Sequence, residues 1–320
     1  MVSISLITFR GMEIEEIIEK KESKRINAPF GYFGSKNKIA LQLCSELPPH
    51  NCWVEAFCGS AVLTLRKEQA PIEVINDIDN EIVNFFEQLR NNHEELCRLI
   101  EATPYAEQEL INARINGNGI SKIERARRFL VQAMMAINGV FGEERGGFSY
   151  SNSYSRNGVD ARVNRWNNVP QRLKAVVKRL KDVRIENKDA RRILKNYLKR
   201  PATLVYLDPP YFADRTNGYS VDNTNNKKFH LELLSLANKA KCMIFISGYE
   251  NELYNSILSE KRGWTKKKIK TSTRDSQGTS HKRTEIIWIN KYFQKALKEK
   301  KALITLTKKE KYQNKVNPER

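Results

Sequence analysis

The chain has 320 residues, 40% of them hydrophobic, which is enough for one large folded domain or two modest ones and excludes a disordered chain. Its 56 Lys and Arg outnumber its 37 Asp and Glu and give a net charge of +19, which favours a polyanionic partner over a basic surface that is merely solvated. No apolar run approaches the roughly 20 residues of a membrane span. The five Cys form no Cys-x-x-Cys pair, which argues against a disulfide framework or a zinc site. We therefore expect a metal-free protein in a reducing cytoplasm.

Short apolar, β-branched runs alternate with helical patterns over most of the chain, which predicts an α/β sheet. The strands are predicted at residues 52–57, 72–78, 183–187, 203–208, 242–248 and 285–290. The helices of the same repeat are predicted at residues 36–47, 61–69, 81–91, 190–199 and 229–240.

The repeat is interrupted between residues 92 and 182. Helical patterns at residues 94–101, 123–137 and 169–180 surround a segment, residues 138–158, that is rich in Gly, Ser and Asn. An insertion of this length inside an α/β sheet usually carries function.

The basic charge is concentrated near the C-terminus, where residues 261–320 hold 19 basic and 5 acidic residues. After residue 290 the sequence is Lys-rich, with a weak helical pattern as far as residue 303. Such a run is more often a solvated tail than a specific site.

A nucleoside-binding turn is predicted after the first strand. Residues 54–61 end a strand in small residues before a helix, which lets a ligand approach the backbone closely. Asp77 follows Gly59 by 18 residues at the end of the next strand, where a carboxylate binds ribose hydroxyls in doubly wound folds. Because the Gly-x-Gly-x-x-Gly fingerprint is missing, S-adenosylmethionine fits this turn better than a dinucleotide does. An ordinary strand–turn–helix is the alternative.

A second motif, Asp208-Pro209-Pro210-Tyr211, follows four apolar strand residues. The two prolines make a rigid, extended turn, so a carboxylate, the Pro209 carbonyl and an aromatic ring are expected around one pocket. The two acceptors would hold the hydrogens of an amino group and favour the tetrahedral nitrogen that attacks a methyl carbon. The ring can stack on a base turned out of a helix. A strand that merely ends at a Pro-Pro turn is the alternative.

Five motifs together resemble the Dam-type and phage-type adenine-specific DNA methyltransferases. They are Tyr32-Phe33-Gly34-Ser35-Lys36, Phe57-x-Gly59, Asn76-Asp77, Asp208-Pro209-Pro210-Tyr211 and Thr284-Glu285-Ile286-Ile287-Trp288. The resemblance covers residues 28–290 and includes the motif order, with the cofactor motif first, then the insertion, then Asp-Pro-Pro-Tyr. It does not extend to Gly31, where Dam-type enzymes carry a base-contacting lysine, to Ala61, where the family often has a second glycine, or to residues 140–145.

The resemblance implies a Rossmann-like, S-adenosylmethionine-dependent methyltransferase sheet with an inserted, mainly helical target-recognition domain that carries a β-hairpin. The catalytic domain would comprise residues 1–92 and 183–290, the recognition domain residues 93–182, and the basic C-terminal tail residues 291–320. The implied activity is methylation of the exocyclic amine of an adenine flipped out of duplex DNA, without a metal. The implied setting is the cytoplasm of a bacterium, at the nucleoid, for a bacterial or phage-borne gene. A cognate restriction endonuclease is a possible partner.

The resemblance also implies the site residues. The predicted cofactor-binding residues are Tyr32 and Lys36 at the methionine end, Glu55, Phe57 and Gly59 along the pocket, Asp77 at the ribose, Asp189 near the adenine, and Asp208. The predicted catalytic residues are Asp208, Pro209, Pro210 and Tyr211. Ser247-Gly248-Tyr249, at the end of a strand expected beside Asp208, either shapes the target-base pocket or forms a plain turn.

Contacts with DNA are predicted in two segments. Residues 145–152 alternate small, aromatic and polar side chains, which suits a Gly-turned hairpin that presents side chains to base edges; a flexible polar loop is the alternative. Residues 271–282 form a second candidate loop, for contacts with the DNA backbone. The predicted DNA-binding residues are Arg145, Tyr150, Asn152, Arg156, Arg274 and Lys282.

Two rival functions stay open from the sequence. Methylation of the cytosine amine uses the same chemistry, although Asp208 in place of a serine before Pro-Pro-Tyr favours adenine by resemblance. A catalytically silent DNA-binding protein on the same fold is the second rival, and the intact Asp208, Tyr211 and Asp77 argue against it.

Overall fold

A seven-stranded, mostly parallel sheet forms the centre of the protein. The computed structural model describes residues 26–32, 34–115, 117–137, 139, 146–152, 154–212, 226–274 and 280–302. The sheet strands are β1 (Cys52–Glu55), β2 (Ile72–Asn76), β5 (Val183–Glu186), β6 (Thr203–Leu207), β7 (Met243–Gly248), β8 (Trp264–Arg274) and β9 (Ser280–Asn290). A separate hairpin is made by β3 (Ser155–Arg156) and β4 (Val159–Asp160).

The strands lie in the order β5-β2-β1-β6-β7-β9-β8. From β1 the chain builds the sheet toward β5 on one side and from β6 onward on the other side, so the switch point of the topology lies between β1 and β6. Pairs from β5 to β7 are parallel, and β9 runs antiparallel to both of its neighbours. This is the doubly wound α/β arrangement that the alternating sequence pattern predicts, and the α/β fold is confirmed.

Both faces of the sheet are buried, because successive residues of a strand point to opposite faces. Trp53 of β1 and Leu204 of β6 lie side by side in one hydrophobic core, whereas the next residues, Val54 and Val205, lie in the other. The near-continuous apolar sequences of the central strands follow from this burial on two sides.

Helices cover both faces. They are α1 (Ala40–Ser45), α2 (Val62–Arg66), α3 (Asn80–Asn91), α4 (His93–Glu101), α5 (Glu107–Ala113), α6 (Lys122–Met135), α7 (Ala161–Asn167), α8 (Val169–Leu180), α9 (Ala190–Tyr197), α10 (Lys227–Lys239), α11 (Glu252–Ile257) and α12 (Lys291–Glu299). Asp79, Ser121 and Asp189 cap the N-termini of α3, α6 and α9 by accepting hydrogen bonds from their backbone N–H groups. Within the described ranges, no helix has both the length and the apolar character to cross a membrane.

The outer edge of the sheet differs from the prediction. The strand predicted at residues 285–290 is only the inner half of β9, and β8, for which the sequence predicts no strand, pairs along its whole length. The prediction of a loop at residues 271–282 is therefore wrong, since most of these residues belong to the two arms of this hairpin. The many lysines of β8 are typical of an edge strand that faces water, and they hide the apolar alternation.

The segment between β2 and β5 is largely helical, as predicted, and it shares a core with the sheet. Leu96 of α4, Phe129 of α6 and Leu173 of α8 belong to the same hydrophobic cluster as Trp53. Helices α4, α6 and α8 therefore pack directly on one face of the sheet, and a separate recognition domain at residues 93–182 stays a prediction.

The hairpin in this segment lies further along the chain than predicted. Its turn is Asn157-Gly158, and both residues have positive φ, 54° and 78°, as a type I′ turn requires. Within residues 145–152, Phe148 forms an isolated bridge with Ala136, so this stretch pairs with earlier residues instead of folding on itself. Asn-Gly is the stronger turn signal, because both residues tolerate the left-handed conformation.

The folded domain extends beyond the predicted boundary at residue 290. Residues 291–299 form α12, and its Phe293 and Ala296 lie in the core on the same sheet face as Trp53. The predicted tail is therefore partly domain, and residues 303–320 lie outside the described residues.

A buried ion cluster ties the helical segment to the sheet. Glu73 of β2 lies 2.5 Å from the Lys67 ammonium and accepts two hydrogen bonds from the Arg179 guanidinium of α8, at 2.5 and 2.9 Å. All three side chains are almost fully buried. Burial by itself raises the pKa of Glu73, but Arg179 and Lys67 hold it below its usual value, so the carboxylate stays charged.

We predict that Glu73→Gln lowers the free energy of unfolding by about 3–5 kcal/mol, because removing one member of a buried ion pair leaves the others uncompensated. Urea denaturation measures the change. Glu95→Gln is the control, since the Glu95–Arg98 pair is exposed and such pairs contribute about 0–1 kcal/mol. Equal effects of the two substitutions would contradict the prediction.

Candidate active site

A cleft opens at the carboxyl ends of β1, β2 and β6, where the strand order reverses. Ligands of doubly wound sheets bind at such switch points. The empty space of the cleft, including its open mouth, is about 740 Å³. Its walls include seven of the eight predicted cofactor-binding residues, namely Tyr32, Lys36, Glu55, Phe57, Gly59, Asp77 and Asp208.

The turn after β1 is folded so tightly that Gly59 can only be glycine. Its φ is +46°, in the left-handed region, and a Cβ there would lie 2.7 Å from the Tyr32 ring. Ala61 has a similar φ of 53° and is fully buried. The left-handed backbone at Ala61 explains why glycine is suited to this position, and the structure accommodates the extra methyl group.

Asp77 holds this turn from the neighbouring strand end. One carboxylate oxygen accepts a hydrogen bond from Gly59 N at 2.9 Å, and the other accepts one from Asp79 N at 3.1 Å. Burial raises the pKa of Asp77 to about 6, although these backbone hydrogen bonds lower it. Asn76, the last residue of β2, links the ends of its two neighbouring strands. Its amide donates to Ala56 O, after β1, and to Lys188 O, after β5, both at 2.9 Å.

Glu55, the last residue of β1, is a second buried acid of the cleft. It is 2% exposed and accepts hydrogen bonds from the backbone N–H of Thr64, at 3.0 Å, and from the Thr64 hydroxyl. Burial raises the pKa of Glu55 to about 7, and the nearby Asp208 charge adds to this rise.

Asp208 follows the fully buried strand β6 and lies on the floor of the cleft. Its carboxylate accepts hydrogen bonds from Lys36 Nζ at 2.8 and 2.7 Å and from the Ser247 hydroxyl at 2.7 Å. Tyr206 Oη lies 2.7 Å from the same hydroxyl. Because Ser247 uses its single hydrogen on Asp208, Tyr206 is the donor to Ser247, and the three side chains form a directed chain.

Lys36 is buried among acceptors. Its ammonium also donates to Gly34 O at 2.9 Å, lies 3.6 Å from Glu285 Oε1, and lies 5.0 Å from the centre of the Tyr211 ring. Burial lowers the pKa of Lys36, but Asp208 and Glu285 together raise it above its usual value. Lys36 is therefore a permanent cation beside Asp208.

Tyr211 stands at the rim, next to Lys36. Its hydroxyl donates a hydrogen bond to Glu285 Oε1, and its ring meets the Tyr249 ring edge to face at a centroid distance of 4.5 Å. Burial raises the pKa of Tyr211 far above its usual value, and the charges of Asp208 and Glu285 add to this. The hydroxyl therefore stays protonated as a donor.

Tyr206 and Glu285 are missed as functional residues by the sequence reasoning. Tyr206, Ser247 and Glu285 all interact with the predicted motifs. Ser247 belongs to a tripeptide for which the sequence leaves a pocket role and a plain turn equally open. A charged residue at the start of the apolar run 285–289 is the available signal for Glu285.

Asp189 is the one predicted cofactor-binding residue that does not line the cleft. It caps α9 and pairs with Arg191 at 2.5 Å. It borders a different, shallow depression that also includes Lys195 and Glu232. Its predicted place near the cofactor's adenine stays a prediction.

The predicted DNA-binding residues are dispersed and mostly exposed. Tyr150 is 64% exposed, and Asn152, Arg156 and Lys282 are also exposed. Arg274 is placed in β8 without a described side chain, and Arg145 lies outside the described residues, as does Phe33 of the first motif. In the part of the chain that is described, no group of three or more His, Cys, Asp or Glu side chains could hold a metal ion.

Similarity to known proteins is found for one protein family and for several solved structures. Residues 32–274 match the family described as D12 class N6 adenine-specific DNA methyltransferase. A search of curated proteins finds no match. Among solved structures, a methyltransferase from Geobacter sulfurreducens is 11% identical, with 87% of this chain and 86% of that chain covered and a TM-score of 0.33. An rRNA methylase from Streptococcus thermophilus is 10% identical, with coverage of 79% and 95% and a TM-score of 0.32.

We predict that Glu55→Gln flattens the pH dependence of stability. The folded pKa of Glu55, about 7, lies above its ordinary value of 4.5, so the unfolded chain loses this proton first and wild-type stability falls as pH rises from about 4.5 to 7. At about 1.4 kcal/mol per pKa unit, the wild type should lose about 3 kcal/mol relative to the variant. Urea denaturation from pH 4 to 8 measures this. The exposed Glu94→Gln is the control, and parallel curves for wild type and Glu55→Gln would refute the prediction.

Proposed function

The chain belongs to the D12 class N6 adenine-specific DNA methyltransferase family, and we propose that it is a site-specific DNA methyltransferase that uses S-adenosylmethionine to methylate the exocyclic amine of an adenine flipped out of duplex DNA. One observation carries the proposal: the Gly59 turn and Asp208 line the same cleft. A methyl donor bound at the turn would lie beside an amine held by Asp208.

The cleft suits a nucleoside that carries positive charge. Phe57, Val62 and Leu63 supply apolar walls, and Asp77 supplies acceptors at the strand end where ribose hydroxyls bind in this fold type. Gly59 has no side chain of its own, and the Tyr32 ring packs against it where a Cβ would point. Tyr32 and Lys36 line the same cleft, where the family resemblance places the methionine end of the cofactor.

The hydrogen bonds of Asp208 indicate where the target amine would bind. Lys36 Nζ now donates to both oxygens of Asp208, which is the kind of contact an amino group makes. For a base to enter, Lys36 turns toward Gly34 O and Glu285, which already lie 2.9 and 3.6 Å from its Nζ. Asp208 then accepts a hydrogen bond from the amine and helps to remove the departing proton.

Positioning supplies most of the rate in this proposal. When bound, S-adenosylmethionine supplies a methyl group on a sulfonium; the new bond joins the amine nitrogen to the methyl carbon as the carbon–sulfur bond breaks and sulfur keeps the electron pair. Ser247 and Tyr206 hold Asp208 in one orientation, and Tyr211 offers its ring for stacking on the flipped base.

The segment 93–182 is our candidate for target recognition. It exposes the aromatic rings of Tyr150 and Tyr154, each more than 60% exposed. Its Arg165 and Arg172 form no ion pair with a carboxylate of the described residues, and burial lowers the pKa of Arg172 to about 10. Unpaired guanidinium groups are suited to phosphate, whose oxygens match their fork of donors.

We predict that Asp208→Ala lowers the rate of adenine methylation by roughly 100-fold or more, because the acceptor for the amine hydrogens is lost. Modification-sensitive sequencing of DNA from cells that express each protein shows the modified base and its sequence context. Far-UV circular dichroism of the purified variant controls for folding. Near wild-type methylation by Asp208→Ala would overturn the assigned role, and N4-methylcytosine in the wild-type sample would overturn adenine as the target.

We also predict that Gly59→Ala weakens binding of S-adenosylmethionine by roughly tenfold or more, because the added Cβ would lie 2.7 Å from the Tyr32 ring and displace it. Gly119→Ala is the matched control. Gly119 also has a left-handed φ, +86°, but no atom lies within 4 Å of its Cβ position, so it carries the backbone strain without the steric clash. Equal affinity for the two variants would show that the closeness of Tyr32 has no role.

A further inference from the structure

Glu285 is a buried carboxylate in an apolar strand that the proposed mechanism does not use as a reacting group. It lies on β9 opposite Ile269 of β8, is 4% exposed, and precedes the buried residues Ile286, Ile287 and Trp288. Burial raises the pKa of Glu285, although Lys36 lowers it. A carboxyl group in this position costs stability unless its hydrogen bonds are satisfied.

Both described partners of Glu285 belong to the proposed reaction centre. Oε1 accepts the hydrogen bond of the Tyr211 hydroxyl, and the same atom lies 3.6 Å from Lys36 Nζ. Neither partner is near Glu285 in the sequence, and both contacts cross from β9 to loops at the carboxyl ends of the parallel strands. The carboxylate therefore reaches the site from β9, which runs antiparallel to its neighbours β7 and β8.

The Tyr211 ring is held at three places. Glu285 binds its hydroxyl, Tyr249 packs against it at a centroid distance of 4.5 Å, and the Lys36 ammonium lies 5.0 Å from its centre. Tyr249 is 39% exposed, and Lys36 has to move in the proposed mechanism. Of these three described contacts, the hydrogen bond to Glu285 comes from a buried strand and stays in place.

We propose that Glu285 is a positioning residue that fixes the orientation of the Tyr211 ring for stacking on the flipped base. This inference rests on the proposed function. Stacking needs the ring plane to be set before the base arrives, because ordering it afterwards costs binding free energy. A tyrosine with a bound hydroxyl satisfies this need, whereas a phenylalanine at the same position would be free to tilt.

The second contact of Glu285 serves the same event. When the target amine takes the acceptors of Asp208, the Lys36 ammonium loses its nearest counter-ion. Glu285 lies close enough to remain its partner, so no buried charge is left uncompensated. One carboxylate thus holds the stacking ring and balances the lysine that makes room for the base.

The test compares Glu285→Ala, Glu285→Gln, Tyr211→Phe and the double variant Tyr211→Phe/Glu285→Ala in the full-length protein. The DNA is a duplex with the sequence found by modification-sensitive sequencing, carrying 2-aminopurine at the target position, whose fluorescence rises when it is flipped. The other readouts are the affinity for S-adenosylmethionine, and kcat and KM for the same duplex with adenine at the target position, because 2-aminopurine lacks the amine at C6. Glu46→Ala is the control, since Glu46 pairs with the exposed Lys267 of the same β8–β9 hairpin.

Glu285→Ala and Tyr211→Phe should each lower kcat and the fluorescence change by about 10- to 100-fold, the size expected for a lost hydrogen bond to a charged group. The double variant should be no more than twofold worse than the poorer single variant, because both changes remove the same contact. Glu285→Gln keeps an acceptor for Tyr211 and should recover part of the fluorescence change. Affinity for S-adenosylmethionine should stay within twofold of wild type throughout.

Additive losses in the double variant, or losses in Glu285→Ala that appear only as weaker S-adenosylmethionine binding, would overturn the inference and leave Glu285 a structural residue. If Glu285→Ala does not fold, Tyr211→Phe alone decides, since unchanged base flipping in that variant excludes the anchoring role. A wild-type protein that methylates no adenine would defeat the proposed function itself, which is a separate result.

Discussion

The buried contact between Lys36 and Asp208 is the interaction on which the site depends. Taking two opposite charges out of water costs several kcal/mol per ion unless hydrogen bonds satisfy both. Here Gly34 O accepts a hydrogen bond from the ammonium, and Ser247 donates one to the carboxylate. Because Lys36 lies in the loop before α1 and Asp208 ends β6, the pair holds that loop over the cleft and fixes the carboxylate at the point where the strand order reverses.

The sequence predicts the centre of this arrangement because its signals are local. Apolar runs such as residues 203–207 announce strands buried on both faces, and a carboxylate directly after such a run must lie at the carboxyl edge of a parallel sheet. The Gly59 turn and Asp77 follow the same rule on the neighbouring strands. This rule accounts for Gly59, Asp77 and Asp208, and the family resemblance supplies the other predicted residues that line the cleft, Tyr32 and Lys36 among them.

Glu285 escapes this reasoning because its place depends on lateral strand order, and the sequence leaves the role of Ser247 open for the same reason. Ser247 reaches Asp208 only because β7 lies beside β6, with Ile246 opposite Leu207. Glu285 reaches the site only because β9 runs antiparallel next to β7. The alternation of apolar and polar residues in the edge strand β8 is hard to detect in the sequence for a related reason. One row of its side chains faces water, and lysines there pair with acids from elsewhere, as Lys267 does with Glu46.

The charges of the cleft favour one kind of nucleoside ligand over another. Among the described residues that line the cleft, four are acidic and Lys36, which pairs with Asp208, is the one cation; the acids are Glu55, Asp77, Asp79 and Asp208. The raised pKa values of Glu55 and Asp77, about 7 and about 6, express the cost of placing further negative charge there. A pyrophosphate would add to that cost, whereas a sulfonium and an ammonium group would reduce it and stabilise both acids in their ionised forms. The missing glycine fingerprint and the acidic cleft thus both disfavour a pyrophosphate. Under the proposed function, the site binds a cationic nucleoside and not a dinucleotide.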